Sequence, residues 1–327
     1  LLAGPLTLGV TAARGTDGLA VVRLDLRNDG LSLTGGGRLA RASGDMTLSA
    51  EIADLSVLEV EQLSGPLTLS ADLSGEDDVW DAKVNLVSSD ANISGDGTIE
   101  NLFGGEISVT AEAEIDTGDL SRIAPLVDMP LTGRLTLDAS GSFDVASGNG
   151  SLTADGTGSG LSIGQAQADA LMSGPLSLEV TAARDGDVIS VDRLLVRGTA
   201  VNVAGGGRID GDGGTMTLDA ELPDLALLEI PSLSGPLSLK ADLDGENDLW
   251  NADVNLVSDE AMVSAKAQID KLMAGEIDAN GSARIETGRL SRFAPLVSMP
   301  LTGQIGLDAN GSYNAVTGDA ALTENGS

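Results

Sequence analysis

Apolar residues occupy every second position through most of the chain, in runs that end at Gly, Asp or Asn. Between 67 and 73, for example, Leu67, Leu69, Ala71 and Leu73 alternate with polar residues. A period of two predicts β-strands that have one apolar and one polar face. Strands of this kind are typical of antiparallel sheets with one buried face. We therefore predict an all-β protein made of an elongated antiparallel sheet.

The chain is a tandem duplication. The stretch 64–90 returns at 234–260, displaced by 170 positions, and each stretch holds one of the two Trp, Trp80 and Trp250. The same offset aligns 1–157 with 171–327 without a gap, and about half of the aligned residues are identical. We predict two copies of one β-groove repeat, 1–170 and 171–327, in one continuous sheet. Roughly 12 to 14 strands per copy would follow if strands and turns have ordinary lengths.

One stretch breaks the alternation: TGDLSRIAPLVDMP at 117–130, repeated as TGRLSRFAPLVSMP at 287–300. Leucine and isoleucine follow a capping Thr117 or Asp119 at helical spacing, and Pro125 limits the helix to one or two turns. We predict one short amphipathic helix per copy that plugs or flanks the sheet. Its apolar residues are Leu120, Ile123, Leu126, Leu290, Phe293 and Leu296.

Two further motifs have structural interpretations. GPL or MPL precedes predicted strands, which suits Pro because the first strand position needs no ladder donor. GGGR at 35–38 and 205–208 resembles a nucleotide loop. It opens no helix and has strands on both sides, so we predict a bend or bulge in the sheet and not a phosphate site.

Composition and charge exclude several classes of function. The chain has no His and no Cys, which rules out His-based triads, Cys nucleophiles and thiolate or imidazole metal sites. Its net charge of −32 opposes binding to nucleic acid. Aromatic residues make up only 2%, and acidic turns such as GEDD at 75–78 lack the spacing of a calcium loop. We predict a protein that is not an enzyme and has no metal or cofactor, with solvated acidic turns.

A long sheet with one apolar face must cover that face, yet no long amphipathic helix is predicted. A closed solenoid, a two-sheet sandwich and an open trough all remain possible, and a trough would imply an apolar ligand. For each Trp, a packed core position is favoured over a binding ring. The predicted lining of the apolar groove is Leu67, Leu69, Leu73, Trp80, Val84, Leu86, Ile107, Val109, Ile115, Leu135, Leu137, Leu237, Leu239, Leu243, Trp250, Val254, Leu256, Ile277, Ile285, Ile305 and Leu307.

The segments GDLSRIAPLVDMPLTG at 118–133 and GRLSRFAPLVSMPLTG at 288–303, set among GPLTL strands and acidic turns, carry a family resemblance. With them the chain resembles the periplasmic part of the TamB family, of an alphaproteobacterial type, within the wider AsmA-like group of repeating β-groove proteins. TamB is the inner-membrane subunit of the translocation and assembly module. Because the chain opens on Leu1, we expect a middle fragment of such a protein, without its anchoring segment.

The resemblance implies a fold, an elongated antiparallel sheet curled into a β-groove, and a function. A member of this family would be anchored in the inner membrane of a Gram-negative bacterium, span the periplasm, and conduct phospholipid acyl chains toward the outer membrane along an apolar groove. It would also be linked to outer-membrane protein assembly through a TamA-type β-barrel partner that binds outside this segment. The alternative is a secreted β-solenoid adhesin or filament with a closed dry core, which would place successive strands parallel.

Overall fold

The computed structural model describes residues 5–14, 18–40, 43–58, 64–122, 124, 129–228, 234–259, 261–272, 275, 277–288 and 302–326. These residues fall into two compact units, Leu1–Gln165 and Ala166–Ser327. Each unit is a meander of ten described strands in which every strand pairs antiparallel with the next along the chain. The predicted all-β class, with a curled open antiparallel sheet, is confirmed.

The strands of the first unit follow in chain order. They are β1 Thr7–Arg14, β2 Gly18–Arg27, β3 Leu31–Ala40, β4 Gly44–Ile52, β5 Leu67–Glu76, β6 Val79–Ser88, β7 Ala91–Glu100, β8 Ser108–Thr117, β9 Thr132–Asp144 and β10 Gly150–Ser162.

The second unit repeats this order after one α-helix, α1 Ala166–Met172. Its strands are β11 Leu176–Asp185, β12 Val188–Gly198, β13 Asn202–Asp210, β14 Gly213–Leu222, β15 Leu237–Glu246, β16 Leu249–Ser258, β17 Ala261–Asp270, β18 Asp278–Thr287, β19 Ile305–Asn314 and β20 Ala320–Gly326.

The prediction of 12 to 14 strands per copy was wrong, because ten are described in each unit. The difference lies in the connections that precede the GPL and MPL motifs. The stretches 53–66 and 118–131 hold no strand among their described residues, and short 3₁₀ helices occur there at Leu55–Leu58 and Leu120–Arg122. Pro66 and Pro130 still lie just before β5 and β9, as the motifs predict.

The alternation was also expected to break at only one place per copy, and that expectation was wrong. Besides the 3₁₀ helix Leu120–Arg122, the described residues include 3₁₀ helices at Leu55–Leu58 and Leu225–Leu228 and the helix α1. No helix in the described part of the chain is long and apolar enough to cross a membrane.

Tight hairpin turns connect several strands through residues with positive φ. Asp77 and Asp78, between β5 and β6, have φ of 53° and 66°. Asn247 and Asp248, between β15 and β16, have φ of 54° and 59°. Positive φ at both central residues is the geometry of the type I′ turn, whose twist matches that of the flanking strands. The acidic GEDD motif is therefore a hairpin turn.

The glycine clusters lie opposite bulges, as predicted. The pairing of β2 with β3 shifts register between Val21 and Leu24, opposite Gly35–Gly37, and β12 shifts in the same way against β13. Gly37 has φ of 151°, and a Cβ there would overlap the carbonyl oxygen of Asp45. The backbones of β3 and β4 thus approach more closely than a side chain at position 37 allows.

This geometry predicts the effect of Gly37→Ala. The added Cβ strains the contact with Asp45 at a cost of about 2 kcal/mol. In a unit of this size that cost lowers the unfolding midpoint by roughly 4–8 °C. The matched control is Gly9→Ala in β1, because a Cβ at Gly9 meets nothing closer than 3.9 Å. Thermal unfolding followed by circular dichroism measures both variants, and equal midpoints would refute the close approach.

Candidate functional site

The candidate site is the apolar face of each sheet, which the strand register makes continuous. Directly paired residues on antiparallel strands point to the same side of a sheet. From β5 to β9, one large aliphatic residue on each strand pairs with another on the next strand. This outer row consists of Leu69, Leu86, Ile93, Ile115 and Leu137. Four of the five were predicted to line a groove, and the structure brings them together.

Two rows that consist mostly of Ala and Gly run beside the outer row. The first consists of Ala71, Val84, Gly95, Ala113, Ala139 and Ala154, and the second of Leu73, Ala82, Gly97, Ala111, Gly141 and Leu152. The row beyond them is large again, with Trp80, Ile99, Val109 and Phe143. The register thus places a strip of mostly small side chains between two rows of large ones, and we call this strip the apolar recess.

The second unit repeats this arrangement with conservative changes. Its outer row is Leu239, Leu256, Val263, Ile285 and Leu307. Its small rows contain Ala241, Val254, Ala265, Ala283 and Ala309, and Leu243, Ala252, Ala267, Gly281 and Gly311. Its last row is Trp250, Ile269, Ala279 and Tyr313, so the order of large, small, small and large rows is preserved apart from Ala279.

The remaining predicted lining residues lie at the margins of the recess. In the row nearest the strand ends, each of four residues pairs with Ser or Thr on one neighbouring strand: Leu67, Leu135, Leu237 and Ile305. On the other side Leu67 pairs with Ile52 and Leu237 with Leu222. Ile107 immediately precedes β8, and Ile277 immediately precedes β18. Their carbonyl oxygens accept hydrogen bonds from the backbone N–H groups of Val145 and Ala315. These six residues border the recess and do not form its floor.

The apolar face is poorly covered. Val84, Leu152 and Phe143 are 44%, 47% and 51% exposed, and only nine apolar residues of the described chain are buried. The chain has an accessible surface of 19110 Å². Two compact domains of half its mass would together expose about 15,000 Å². Among the described residues, neither unit has a second layer that closes over its apolar face.

Short 3₁₀ segments lie at one end of the recess. Leu55 and Leu120, which begin the segments between β4 and β5 and between β8 and β9, are buried. Asp54 precedes Leu55, and its Oδ1 accepts hydrogen bonds from the backbone N–H groups of Ser56 and Gly65, both at 3.0 Å. These two bonds hold the pKa of the Asp54 carboxyl below its ordinary value of 3.8.

The segment predicted as a plug helix is tied to neighbouring turns. The Arg122 guanidinium lies 3.1 Å from Asp90 Oδ2 and donates a hydrogen bond to Ser64 Oγ at 3.1 Å. Thr117 is buried and its hydroxyl bonds to the backbone of Leu135. Of the predicted plug residues, only Leu120 is described, and it lies in a 3₁₀ helix. Ile123, Leu126, Leu290, Phe293 and Leu296 lie outside the described residues.

One Trp lies at the other end of the recess in each unit. Trp80 is 0% and Trp250 1% exposed, which confirms the packed position predicted for both. Each indole covers the glycine that it pairs with on the preceding strand, Gly75 or Gly245, where a Cβ would overlap the ring. Phe103, from the β7–β8 connection, meets the Trp80 ring edge-on with the centroids 5.7 Å apart.

The opposite face of each sheet is polar and charged. In the first unit Glu114, Asp138 and Asp155 lie directly opposite one another on adjacent strands, which is an unfavourable arrangement of like charges. The described residues include no group of three or more acidic side chains arranged to hold a metal ion. This face is a solvated surface whose charge favours solubility.

Sequence reasoning missed Leu55, Leu225, Phe103 and the helix α1. A signal for the first two was present, because Asp-Leu-Ser at 54–56 and Asp-Leu-Ala at 224–226 precede a GPL motif just as Asp-Leu-Ser at 119–121 precedes MPL. Phe103 lies in a connection with no periodic pattern, so its packing against Trp80 had no sequence signal.

A scan of family models and searches of curated proteins and solved structures found no match to this chain.

The Asp caps predict a specific acid sensitivity. Asp224 repeats the Asp54 cap, since its Oδ1 accepts from the N–H groups of Ala226 and Gly235, which also hold its pKa below 3.8. A carboxyl with a lowered folded-state pKa stabilises the fold fully above pH 3.8 and loses that contribution as the pH falls through its folded pKa.

The test compares the native chain with the double variant Asp54→Asn/Asp224→Asn in urea unfolding. We expect the native chain to be the more stable at pH 7 and the difference in midpoint to shrink at pH 3. Asn keeps an acceptor oxygen at the cap without a titrating group, so other carboxylates cancel in the comparison. A difference that stays constant between the two pH values would contradict the assignment.

Proposed function

We propose that this chain is a segment of a lipid conduit in which phospholipid acyl chains occupy the apolar recess. One observation carries the proposal: the apolar face continues across the strands of each unit and is uncovered among the described residues. A contiguous exposed apolar surface that runs across several strands marks a binding site in soluble proteins. The proposal includes membership of the TamB family or of another AsmA-like family.

A hydrocarbon chain suits this surface better than a polypeptide. The strand backbones are already paired within the sheet, so the face offers a peptide no hydrogen bonds for its own backbone. It also has few of the Trp, Tyr and Arg anchors that dominate protein interfaces. A recess lined by Ala, Gly, Val and Leu contacts methylene groups without regard to sequence, and each buried methylene contributes about 0.8 kcal/mol.

Repetition supports transport along the recess. Both units present the same order of large and small rows, so an acyl chain meets an equivalent surface in each. Uniform contacts give no single deep binding site, which is the property that movement along a path requires. Absence of His and Cys from the sequence is consistent with a role that involves no catalysis.

The adhesin alternative is disfavoured by strand direction. A closed solenoid stacks successive strands parallel, whereas every strand pairing described in both units is antiparallel.

The proposal places the chain in the periplasm, as part of a protein anchored in the inner membrane. It assigns contact with a TamA-type partner in the outer membrane, and the link to outer-membrane protein assembly, to a region outside this segment.

The decisive experiment is native mass spectrometry, with lipid extraction, of the chain expressed in a bacterial periplasm. We expect more than one phospholipid to copurify with each chain, because each unit carries its own recess. A stable chain that is free of lipid would overturn the proposal. Copurification of a protein without lipid would also contradict it.

A charge placed in the recess should block lipid retention. Leu69→Asp introduces a carboxylate into the outer row of β5, where an acyl chain cannot solvate it. The neighbouring Ser70→Asp places the same charge on the polar face and serves as the control. We expect Leu69→Asp to lose most of the lipid from the first unit and Ser70→Asp to retain it. Circular dichroism confirms that both variants fold, and equal lipid content in folded variants would contradict the lining assignment.

A further inference from the structure

Each unit contains one buried indole N–H without an acceptor. Among the described residues, Trp80 Nε1 and Trp250 Nε1 have no hydrogen-bond partner, although the two side chains are 0% and 1% exposed. Buried donors are almost always paired, because an unpaired one destabilises the fold. The same unpaired donor occurs at equivalent positions of both copies. A recurrent unpaired donor of this kind indicates a partner that is supplied by a ligand.

The position of the donor indicates which part of a ligand it would meet. Trp80 lies in the last large row of the recess, beside the hairpin turn that joins β5 to β6. Val84, on the same strand and the same face, is 44% exposed and belongs to the recess. The buried indole therefore lies between the recess and the turn at the end of the sheet.

Charge at this end of the sheet restricts the acceptor. The turn beside Trp80 carries Glu76, Asp77 and Asp78, and Glu100 ends the paired strand β7. The described stretches 76–79 and 100–108 contain no Lys or Arg. An ionised carboxylate or other anion would be repelled at Trp80, so the acceptor that fits there is a neutral carbonyl oxygen. The equivalent connection of the second unit carries Lys271, and for Trp250 the same acceptor is assigned from the repeat alone.

Resting on the lipid-conduit function, we propose that Trp80, and Trp250 in the second unit, donate a hydrogen bond to the acyl ester carbonyl of a bound phospholipid. The acyl chain then lies along the recess and the head group extends past the strand ends into water. Binding displaces Phe103, which packs edge-on against the Trp80 ring and is already 46% exposed. The two Trp residues thus position the lipid at one defined point in each unit.

The chain suits a direct test, since its two Trp give only two indole signals in a ¹H–¹⁵N spectrum. Trp80→Phe and Trp250→Phe each remove one signal and so assign both. The native chain is titrated, below the micelle concentration, with an acyl ester lysophosphatidylcholine and with its ether analogue, which has the same head group and chain but no carbonyl. We expect both lipids to bind and only the ester to move the indole protons downfield.

The affinities provide a second readout. We expect the ester to bind about three- to tenfold more tightly than the ether, which is the range that one neutral hydrogen bond supplies. Trp80→Phe, which keeps an aromatic ring over Gly75, should abolish this preference of ester over ether in the first unit. Trp250→Phe should do the same in the second unit.

The outcomes separate this inference from the proposed function. Equal binding of ester and ether with unmoved indole signals would overturn the Trp assignment and leave the conduit intact. Failure of both lipids to bind would overturn both proposals. An equal shift with an ionised fatty acid would overturn the assignment of a neutral carbonyl acceptor.

Discussion

The strand register is the constraint on which the rest of this structure depends. Within each unit, consecutive strands pair residue for residue over nearly their whole length, so Leu69, Leu86 and Ile93 fall in one line. A slip of one residue in any pair would move that strand's apolar residues to the acidic face. The two-residue alternation therefore stabilises the correct register, and the register in turn builds a continuous apolar surface from residues far apart in sequence.

A sheet of this kind gains less stability from the packing of apolar side chains than a compact domain does. Most apolar residues of the described chain are only partly buried. The largest buried side chains of the first unit lie at the two ends of the recess, Leu55 and Leu120 at one end and Trp80 at the other. Strand ends otherwise expose connections and unpaired backbone groups. Asp caps, the Arg122 contacts and the ring of Trp80 over Gly75 stabilise those ends while the middle of each sheet stays accessible.

The open apolar face connects the structure to the proposed function. An apolar face left open in water is unfavourable unless a ligand covers it, and the charged opposite face keeps such a molecule soluble. An acyl chain covers the recess through many weak and equivalent contacts. The indole N–H of Trp80 would be the one directional contact in this unit, and it lies at the end of the recess and not on its floor.

The sequence by itself determined the strand alternation, the duplication, the bulges opposite Gly35–Gly37 and the buried positions of both Trp. These features depend on local periodicity and on residues for which only one environment is favourable. About four-fifths of the outer row of the first unit was likewise predictable, because it follows from the phase of each strand.

Only the tertiary structure decided how those strands combine. Periodicity is the same in a solenoid, a sandwich and a trough, so the choice needed the antiparallel pairing of consecutive strands and the poor coverage of the apolar face. The recess also needed the register, since Gly97, Ala111 and Gly141 form a floor only when three strands place them side by side. Phe103 packs on Trp80 from an irregular connection, a contact between segments that local sequence does not encode.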